Sequence, residues 1–263
     1  MCVHIQRFVC VWIMKGRNMQ VTYIGHSGFL LETEKAYFLF DYYKGNIPKL
    51  TRQKPIVVFV SHKHEDHYNP EIFALSKQYS QVKYVLDKDV PVKRQIEKYS
   101  KQEINLEASI YKVRKNSVTE LALENDTLLQ IQTLKSTDIG VAYLLTYEGK
   151  TYYHAGDLNL WVWEGEPEQA NEQMEKAYFT ELEKLKGKHI DVAFVPLDPR
   201  QENDAFSGME SFLEYTDSEI VFPMHFWKKP QIISDFLATH PEEQAKIKMV
   251  SEAGQVFDLE IKC

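Results

Sequence analysis

The heptapeptide SHKHEDH at residues 61–67 directly follows the apolar run PIVVFV at residues 55–60. Such a run predicts a buried strand, so the heptapeptide should form the loop after it. Four side chains of this loop have no evident packing role: His62, His64, Asp66 and His67. Imidazole nitrogens and carboxylate oxygens are the ligands that Zn²⁺ and similar ions prefer. The sequence therefore predicts a metal site in this loop.

The spacing of these residues indicates that one loop can serve two ions. On extended backbone His62 and His64 project to the same side, so both can reach a first ion. Asp66 and His67 come after the chain has begun to turn, so they can serve a second ion. The alternative is a solvated charged turn, but such turns draw mainly on Lys, Glu, Ser and Gly.

The pattern His62-x-His64-x-Asp66-His67 after a hydrophobic strand resembles the signature of the metallo-β-lactamase-fold hydrolases. The resemblance implies an α/β fold with four layers, an αββα sandwich, and one or two metal ions between its sheets. It also implies hydrolysis by a metal-bound hydroxide, with Asp66 as the catalytic residue that orients the nucleophile. The family includes β-lactamases, glyoxalase II, ribonuclease Z, lactonases and phosphodiesterases, so its signature indicates a reaction more strongly than a substrate.

Two later loops resemble the remaining ligand positions of this family. The motif HAGD ends at Asp157, which the resemblance makes the carboxylate that bridges the two ions. Gly156 would let the backbone approach closely there. His225 follows an apolar strand and matches the final ligand, on the second ion. His154 is either a hydrogen-bonded core histidine or a residue that orients a ligand.

One ligand of the resembled family is missing from this chain. The family commonly places a histidine before the strand that here begins at Val141, where this sequence has LKSTDIG at residues 134–140. Asp138 is the better replacement, because an ionised carboxylate binds a divalent ion and the Ser136 hydroxyl binds poorly. We therefore predict one or two ions in uneven sites. Zn²⁺ is the first candidate, with Mn²⁺ and Fe²⁺ as alternatives.

The two sites are defined by their predicted ligands. The first site comprises His62, His64 and Asp157, with Asp138 as a candidate addition, and the second site comprises Asp66, His67, Asp157 and His225. The first site is thus short of a ligand, whereas the second site is complete.

Four other residues are candidates for supporting roles. Asp41 ends a predicted strand, where it is either a turn residue or an acid that braces the histidine loop, as in the resembled family. His26 lies in a GHS turn that resembles turns near the metals of some lactonase-like and phosphodiesterase-like members, with an exposed turn histidine as the alternative. Trp161 is a candidate aromatic wall of the substrate pocket. Arg200 is a candidate receptor for a phosphate or carboxylate, or else forms a structural salt bridge.

From Met19 onward the chain is read as a series of strands with helices between them. Predicted strands lie at 21–24, 29–33, 36–40, 55–60, 82–86, 104–113, 128–134, 141–147, 151–153, 192–195, 220–222 and 255–261. Predicted helices begin after Asn69 and lie at 90–99, 168–186, 209–215, 231–238 and 241–247. Two similar halves, each with strands first and helices later, should pack sheet against sheet. The site should then lie along one edge of the sandwich.

The length allows one large α/β domain or two small ones, and the absence of a linker rich in Gly, Pro or Ser favours one. With 263 residues, 44% hydrophobic and 26% charged, the composition is typical of a globular protein. Residues 1–18 are predicted to be an extension outside the core, and residues 19–263 a single metallo-β-lactamase-like domain. The apolar stretch at 8–14 is too short for a transmembrane segment and lacks a signal-peptide cleavage site. The three cysteines form no CxxC motif, which favours a reducing compartment and a cytoplasmic location.

The predicted function is hydrolysis of an ester, lactone or phosphodiester of a small molecule. A net charge of −7 argues weakly against nucleic acid as a partner. A nuclease is the first alternative and would need a basic track; the candidate cluster is interrupted by acids and comprises Lys88, Lys93, Arg94, Lys98, Lys112, Arg114 and Lys115. The second alternative is a noncatalytic metal-binding protein with a degenerate first site. No membrane partner is expected, and the oligomeric state stays open.

Overall fold

The structure is a computed structural model and describes residues 17–123 and 127–261. Its first sheet has seven strands: β1 (Arg17–Gly25), β2 (Gly28–Glu32), β3 (Tyr37–Phe40), β4 (Ile56–Val60), β5 (Val82–Asp87), β6 (Ile110–Val113) and β13 (Val256–Ile261). Their order is β13-β1-β2-β3-β4-β5-β6. The strands β1, β2 and β3 form the predicted antiparallel meander, and β3 to β6 run parallel.

The second sheet has six strands in the described part of the chain: β7 (Val118–Ala122), β8 (Leu128–Lys135), β9 (Val141–Tyr147), β10 (Lys150–His154), β11 (His189–Pro196) and β12 (Asp217–Met224). Their order is β12-β11-β10-β9-β8-β7. The hairpin of β9 and β10 turns at Glu148 and Gly149, both with positive φ, as a tight two-residue turn requires.

Aromatic side chains on the inner faces join the two sheets. Phe29 of the first sheet lies 4.6 Å from Phe194 of the second, between ring centroids. Phe38 meets Tyr147 edge to face at 5.2 Å. All four are at most 1% exposed, and each such side chain contributes on the order of 2 kcal/mol by its burial. The interior between the sheets is therefore the main core of the domain.

Helices cover the outer faces of both sheets. The α-helices are α1 (Lys93–Ser100), α2 (Glu168–Leu182), α3 (Ser207–Tyr215) and α4 (Gln231–Thr239), and 3₁₀ helices span Pro70–Lys77, Glu107–Ser109, Glu183–Leu185, Pro199–Asp204 and Pro241–Ala245. Phe73 packs on Tyr84 outside the first sheet, and Phe212 of α3 stacks on Tyr153 outside the second. The predicted αββα sandwich is confirmed. No helix in the two described stretches is long and apolar enough to cross a membrane.

The structure corrects several predicted element boundaries. β1 begins at Arg17 and pairs with β13 from there, so the ladder includes two residues that were assigned to the extension; residues 1–16 lie outside the described residues. The predicted strand at 104–113 is wrong in its first half, where the chain forms a turn and a 3₁₀ helix. The edge strand β7 lies outside the predicted strands, because three of its five side chains are exposed, with Val118 64% exposed.

Strand direction brings the candidate site residues to one edge. In the first sheet β1, β3 and β4 run in the same direction, and in the second sheet β8, β10, β11 and β12 do so. The loops that follow these seven strands therefore lie at the carboxyl ends of the strands, along one edge of the sandwich. The predicted site residues follow these strand ends, except His154, which is the last residue of β10.

Candidate metal centre

Asp41 braces the histidine loop from inside the core. Its side chain is fully buried and accepts hydrogen bonds from the Ser61 backbone amide at 2.7 Å and the Ser61 hydroxyl at 2.6 Å. His67 Nδ1 lies 2.8 Å from Asp41 Oδ2. Burial alone would raise the pKa of Asp41, but His154 and His67 hold it below its ordinary value. Since an ionised Asp41 fixes the proton on His67 Nδ1, His67 Nε2 is left free as a ligand.

Two glycines let neighbouring loops press against Ser61 and His62. A Cβ atom on Gly156 would lie 2.7 Å from the Ser61 Cβ, and one on Gly140 would lie 2.1 Å from the Ser61 carbonyl oxygen. Both glycines also have positive φ, +52° and +78°. Any larger residue would push the loops of Asp157 or Asp138 away from the histidines.

Asp157 presents one carboxylate oxygen to each group of histidines. Its Oδ1 lies 3.1 Å from His67 Nε2 and 3.5 Å from His225 Nε2, and its Oδ2 lies 3.3 Å from His62 Nε2. Burial opposes ionisation, but these three histidines keep the pKa of Asp157 well below its ordinary range. An ionised carboxylate in this position could be shared by two ions.

His225, in the second site, is oriented by a buried acid that sequence reasoning did not single out. Its Nδ1 lies 2.8 Å from Asp198 Oδ2, which also accepts a hydrogen bond from the Trp227 indole at 3.1 Å. Burial raises the pKa of Asp198, but His225 and Arg200 outweigh it and lower the value to about 2. The one sequence signal for Asp198 is its position just past a buried strand, which is also the position of Asp41 and Asp157.

The first site is more open than the second. His62 is buried, and its Nε2 lies 3.1 Å from His64 Nδ1. Asp138 Oδ2 lies 3.8 Å from the same His64 nitrogen, and both of these side chains are 47% exposed. Burial and the nearby His67 lower the pKa of His62 to about 4, so His62 is neutral at neutral pH, as a metal ligand must be.

His26 and His154 have different places in the centre. His26 Nε2 lies 3.3 Å from Asp66 Oδ2, and its ring lies 4.1 Å from that of His225. His154 is fully buried, with Nε2 2.9 Å from the Ser27 carbonyl and Nδ1 accepting from the Gly156 amide. Both nitrogens of His154 are thus in use, and it supports the Asp157 loop as a core histidine.

The donor atoms fit a metal. In the part of the chain that the structure describes, His26 Nε2, His67 Nε2 and Asp157 Oδ1 are buried and lack a hydrogen bond of good geometry. Buried polar atoms rarely stay unpartnered, so a cation is the partner that this arrangement lacks. Potential ligand atoms lie within 4.8 Å of one another in four overlapping groups: His26, Asp66, His67 and His225; His62, His64 and Asp66; His62, His67 and Asp157; His64, Asp138 and Asp157.

A pocket of about 290 Å³ opens beside these ligands. Its lining includes the candidate ligands Asp138, Asp157 and His225 as well as Trp161 and Arg200. The Trp161 indole donates a hydrogen bond to the Asp157 carbonyl at 2.9 Å and packs against His225. The two predicted substrate-binding residues therefore do lie at the mouth of the metal centre.

Comparisons with known proteins agree with this architecture. A UPF0173 metal-dependent hydrolase of Bacillus velezensis is 26% identical over 255 residues, which cover 92% of this chain and 100% of that protein. The solved structure of a metallo hydrolase from the archaeon Ignicoccus hospitalis has a TM-score of 0.60 at 17% identity and covers 93% of this chain and 100% of its own.

A metallo-beta-lactamase fold protein of Bacillus subtilis has a TM-score of 0.54 at 13% identity, with 92% of this chain and 100% of that chain covered. At these identities the solved structures show the fold alone. The model of the beta-lactamase superfamily domain matches residues 20–171, which is more than half of the 263 residues. The chain therefore belongs to the beta-lactamase superfamily, and the predicted family is confirmed.

Proposed function

We propose that this protein is a metal-dependent hydrolase that cleaves an ester, lactone or phosphodiester of a small molecule. The broader class, a metal-dependent hydrolase, has the support of the family and of the names that its relatives carry. The observation that carries the proposal is Asp157, which offers one oxygen to each histidine group beside an open pocket.

The proposed cofactor is one or two divalent ions. The second site would use His67, His225 and Asp157 Oδ1, with Asp66 and His26 close by; the first would use His62, His64 and Asp157 Oδ2, with Asp138 in place of the missing histidine. Zn²⁺ suits the imidazole-rich second site, whereas the carboxylate at the first site also suits Mn²⁺ or Fe²⁺. Ions bound there would lower the pKa of water and polarise the group under attack.

Asp66 is the proposed proton acceptor. Its side chain is 30% exposed, and Oδ2 lies 3.3 Å from His26 Nε2. Burial raises the pKa of Asp66, but His26 and His67 outweigh it and hold the carboxyl ionised. An ionised carboxylate at this position can orient an attacking water and accept its proton.

A small substrate is favoured over nucleic acid. The pocket of about 290 Å³ suits a small molecule, and Arg200 is the one Lys or Arg among its described lining residues. Members of the basic cluster are already engaged, since Lys88 pairs with Asp89 and the Lys112 ammonium donates to the carbonyls of Asp87 and Val90. Nucleic-acid binding requires several free cations along one track.

The test is a substrate screen on metal-analysed protein. Para-nitrophenyl esters, a lactone, a thioester and bis(para-nitrophenyl) phosphate cover the proposed bond types, and elemental analysis gives the metal count per chain. Asp66→Asn should reduce turnover by roughly a hundredfold or more. Asp217→Asn is the matched control, because that side chain is 75% exposed at the opposite end of β12 from His225.

Each outcome of the screen decides between the candidate functions. Full turnover in the Asp66 variant would contradict the proposed role of that residue. Preference for oligonucleotides over every small substrate would favour the nuclease. Absence of both metal and turnover would favour a noncatalytic protein.

A further inference from the structure

The pocket beside the metal centre holds one fixed cation, Arg200. Its lining within the described residues also includes the carboxylates of Asp138 and Asp157, which are candidate metal ligands, and the apolar side chains of Trp163 and Met174. Once ions neutralise the two carboxylates, Arg200 is the charged group that remains to meet a substrate. Its position therefore bears on which substrates the pocket accepts.

Arg200 uses only one edge of its guanidinium within the protein. Nε lies 3.0 Å from both oxygens of Asp198, and Nη2 lies 2.6 Å from Asp198 Oδ2. A guanidinium carries five N–H donors, and this contact occupies one on Nε and one on Nη2. Nη1 forms no hydrogen bond or ion pair with any described residue. The end-on edge formed by Nη1 and Nη2 is therefore available to a second oxyanion.

The free edge is held in place by stacking. The guanidinium carbon lies 4.4 Å from the ring centroid of Trp227 and 5.8 Å from that of Trp163. Asp198 is fully buried and also orients His225, so it ties the guanidinium to the second metal site. Because the long side chain is already ordered, binding an anion there costs little rotamer entropy. A purely structural salt bridge would not need a half-exposed guanidinium facing a pocket.

The charge of the free edge favours a carboxylate over a phosphate dianion. Two parallel N–H donors match the two oxygens of a planar carboxylate. A phosphate dianion carries a second negative charge, which the single guanidinium could not balance.

We propose that Arg200 binds a carboxylate group of the substrate, an inference that rests on the proposed hydrolase function. The enzyme would then select esters or lactones that carry a free carboxylate near the scissile bond. Arg200 acts as a specificity residue, and Asp198 and Trp227 position it.

A binding experiment tests this without turnover. Dicarboxylates from succinate to adipate and the monocarboxylates of equal chain length are titrated into the metal-loaded protein by calorimetry. Dicarboxylates and monocarboxylates can each place one carboxylate on the metals. The difference between their Kd values therefore measures the contribution of the second carboxylate alone. The best dicarboxylate should bind on the order of tenfold to a hundredfold more tightly than its partner. Arg200→Gln should remove most of that ratio, and Arg200→Lys should retain part of it.

The controls separate recognition from structure. Arg52→Gln changes an exposed arginine that precedes β4, at the opposite end of that strand from the site. The metal count of each variant shows whether the metal centre is intact. If Arg200→Gln loses metal, Arg200→Lys replaces it as the test variant. The phosphonate analogue 4-phosphonobutanoate, compared with glutarate, tests the phosphate alternative.

A kinetic experiment extends the test to the reaction. The mono-para-nitrophenyl ester of glutarate is compared with para-nitrophenyl pentanoate, which has the same chain length and no second carboxylate. Arg200→Gln should lower the ratio of their kcat/KM values, mainly through KM for the glutarate ester. A merely structural role would lower both values alike and leave the ratio unchanged.

Four results would overturn the proposal: equal binding of dicarboxylates and monocarboxylates by the wild type, a preference that survives Arg200→Gln, an unchanged ratio in the kinetic comparison, and tighter binding of the phosphonate than of glutarate. Failure of the hydrolase function is a separate result. It would appear as absence of turnover on every ester, lactone and phosphodiester, while the binding experiment still reports on Arg200.

Discussion

The two proposed metal sites share one carboxylate but differ in how their other candidate ligands are supported. In the second site, His67 and His225 each point one ring nitrogen at a fully buried aspartate, Asp41 or Asp198. In the first site, His64 and Asp138 are 47% exposed, and they approach each other only to 3.8 Å. The core therefore preorganises the second site, whereas two candidate ligands of the first site, His64 and Asp138, lie on exposed loops.

The difference has a consequence for metal affinity. Ligands that are already fixed lose little conformational entropy when an ion binds, whereas exposed ligands must be ordered at that moment. Buried acids that orient a histidine typically improve metal affinity tenfold to a hundredfold. We therefore expect the second site to bind its ion more tightly than the first, and the predictions below test that order.

The largest effect should come from the ligand that both sites share. Asp157→Asn replaces a bridging carboxylate with a neutral amide, so both ions should bind weakly and turnover should fall by roughly a thousandfold or more. Elemental analysis and the substrate screen measure the two effects. Asp138→Asn is the comparison variant, because only the first site should respond there. A full metal count in the Asp157 variant would refute the bridging role.

The next effect concerns the support of the second site. Asp41→Asn leaves the Ser61 and His67 donors facing a neutral amide in the core, and the loss of a buried charged partner costs about 3 kcal/mol. The free energy of unfolding of the metal-free protein, measured with urea, should fall by that amount. Asp138→Asn should change it by less than about 0.5 kcal/mol, because Asp138 is half-exposed. Equal losses of stability in the two variants would contradict the inference that the buried Asp41 supports its site more strongly than the half-exposed Asp138 supports the other.

The architecture and the ligand loops could be predicted from the sequence because both leave local signals. Apolar runs mark the strands, and the residues past their ends carry the ligands, as with His62 after β4 and Asp157 after β10. The family signature then supplied the sandwich, which the structure confirms. Asp157 and His225 meet because β10 and β12 run in the same direction and end at the same edge of one sheet.

Other features could not be predicted because they depend on contacts between distant segments. Asp198 orients His225 across 27 positions of sequence, and no local pattern distinguishes it from a turn aspartate. Trp227 stacks on Arg200 only because the loop after β12 lies beside the segment after β11. The edge strand β7 has too few buried side chains to show an alternating pattern. Pairwise geometry of this kind is visible only in the folded chain.

A smaller effect should follow from changing the contact between the Asp138 loop and the histidine loop. In Gly140→Ala the new Cβ would lie 2.1 Å from the Ser61 carbonyl oxygen, so the loop must move, at a cost of about 2 kcal/mol. Gly149→Ala is the matched control: its φ of +76° is similar, but nothing lies within 4 Å. In Gly149→Ala only the backbone strain of a positive φ should lower the free energy of unfolding, by about 1 kcal/mol. Urea unfolding measures both, and a Gly140 variant no less stable than the Gly149 variant would contradict the close approach.

The smallest effect should be confined to the ion of the first site. Asp138→Asn removes an exposed carboxylate next to His64, so that ion should bind roughly tenfold more weakly, while the ion of the second site should be unaffected. Stepwise removal with a chelator measures this, since the wild type should release its ions in two phases and the variant should speed up only the faster one. Asp138→His, which restores the histidine that the resembled family places in this loop, should slow the same phase. If the slower phase responds instead, the exposed loop supports the tighter site, and the order of affinities inferred from burial is reversed.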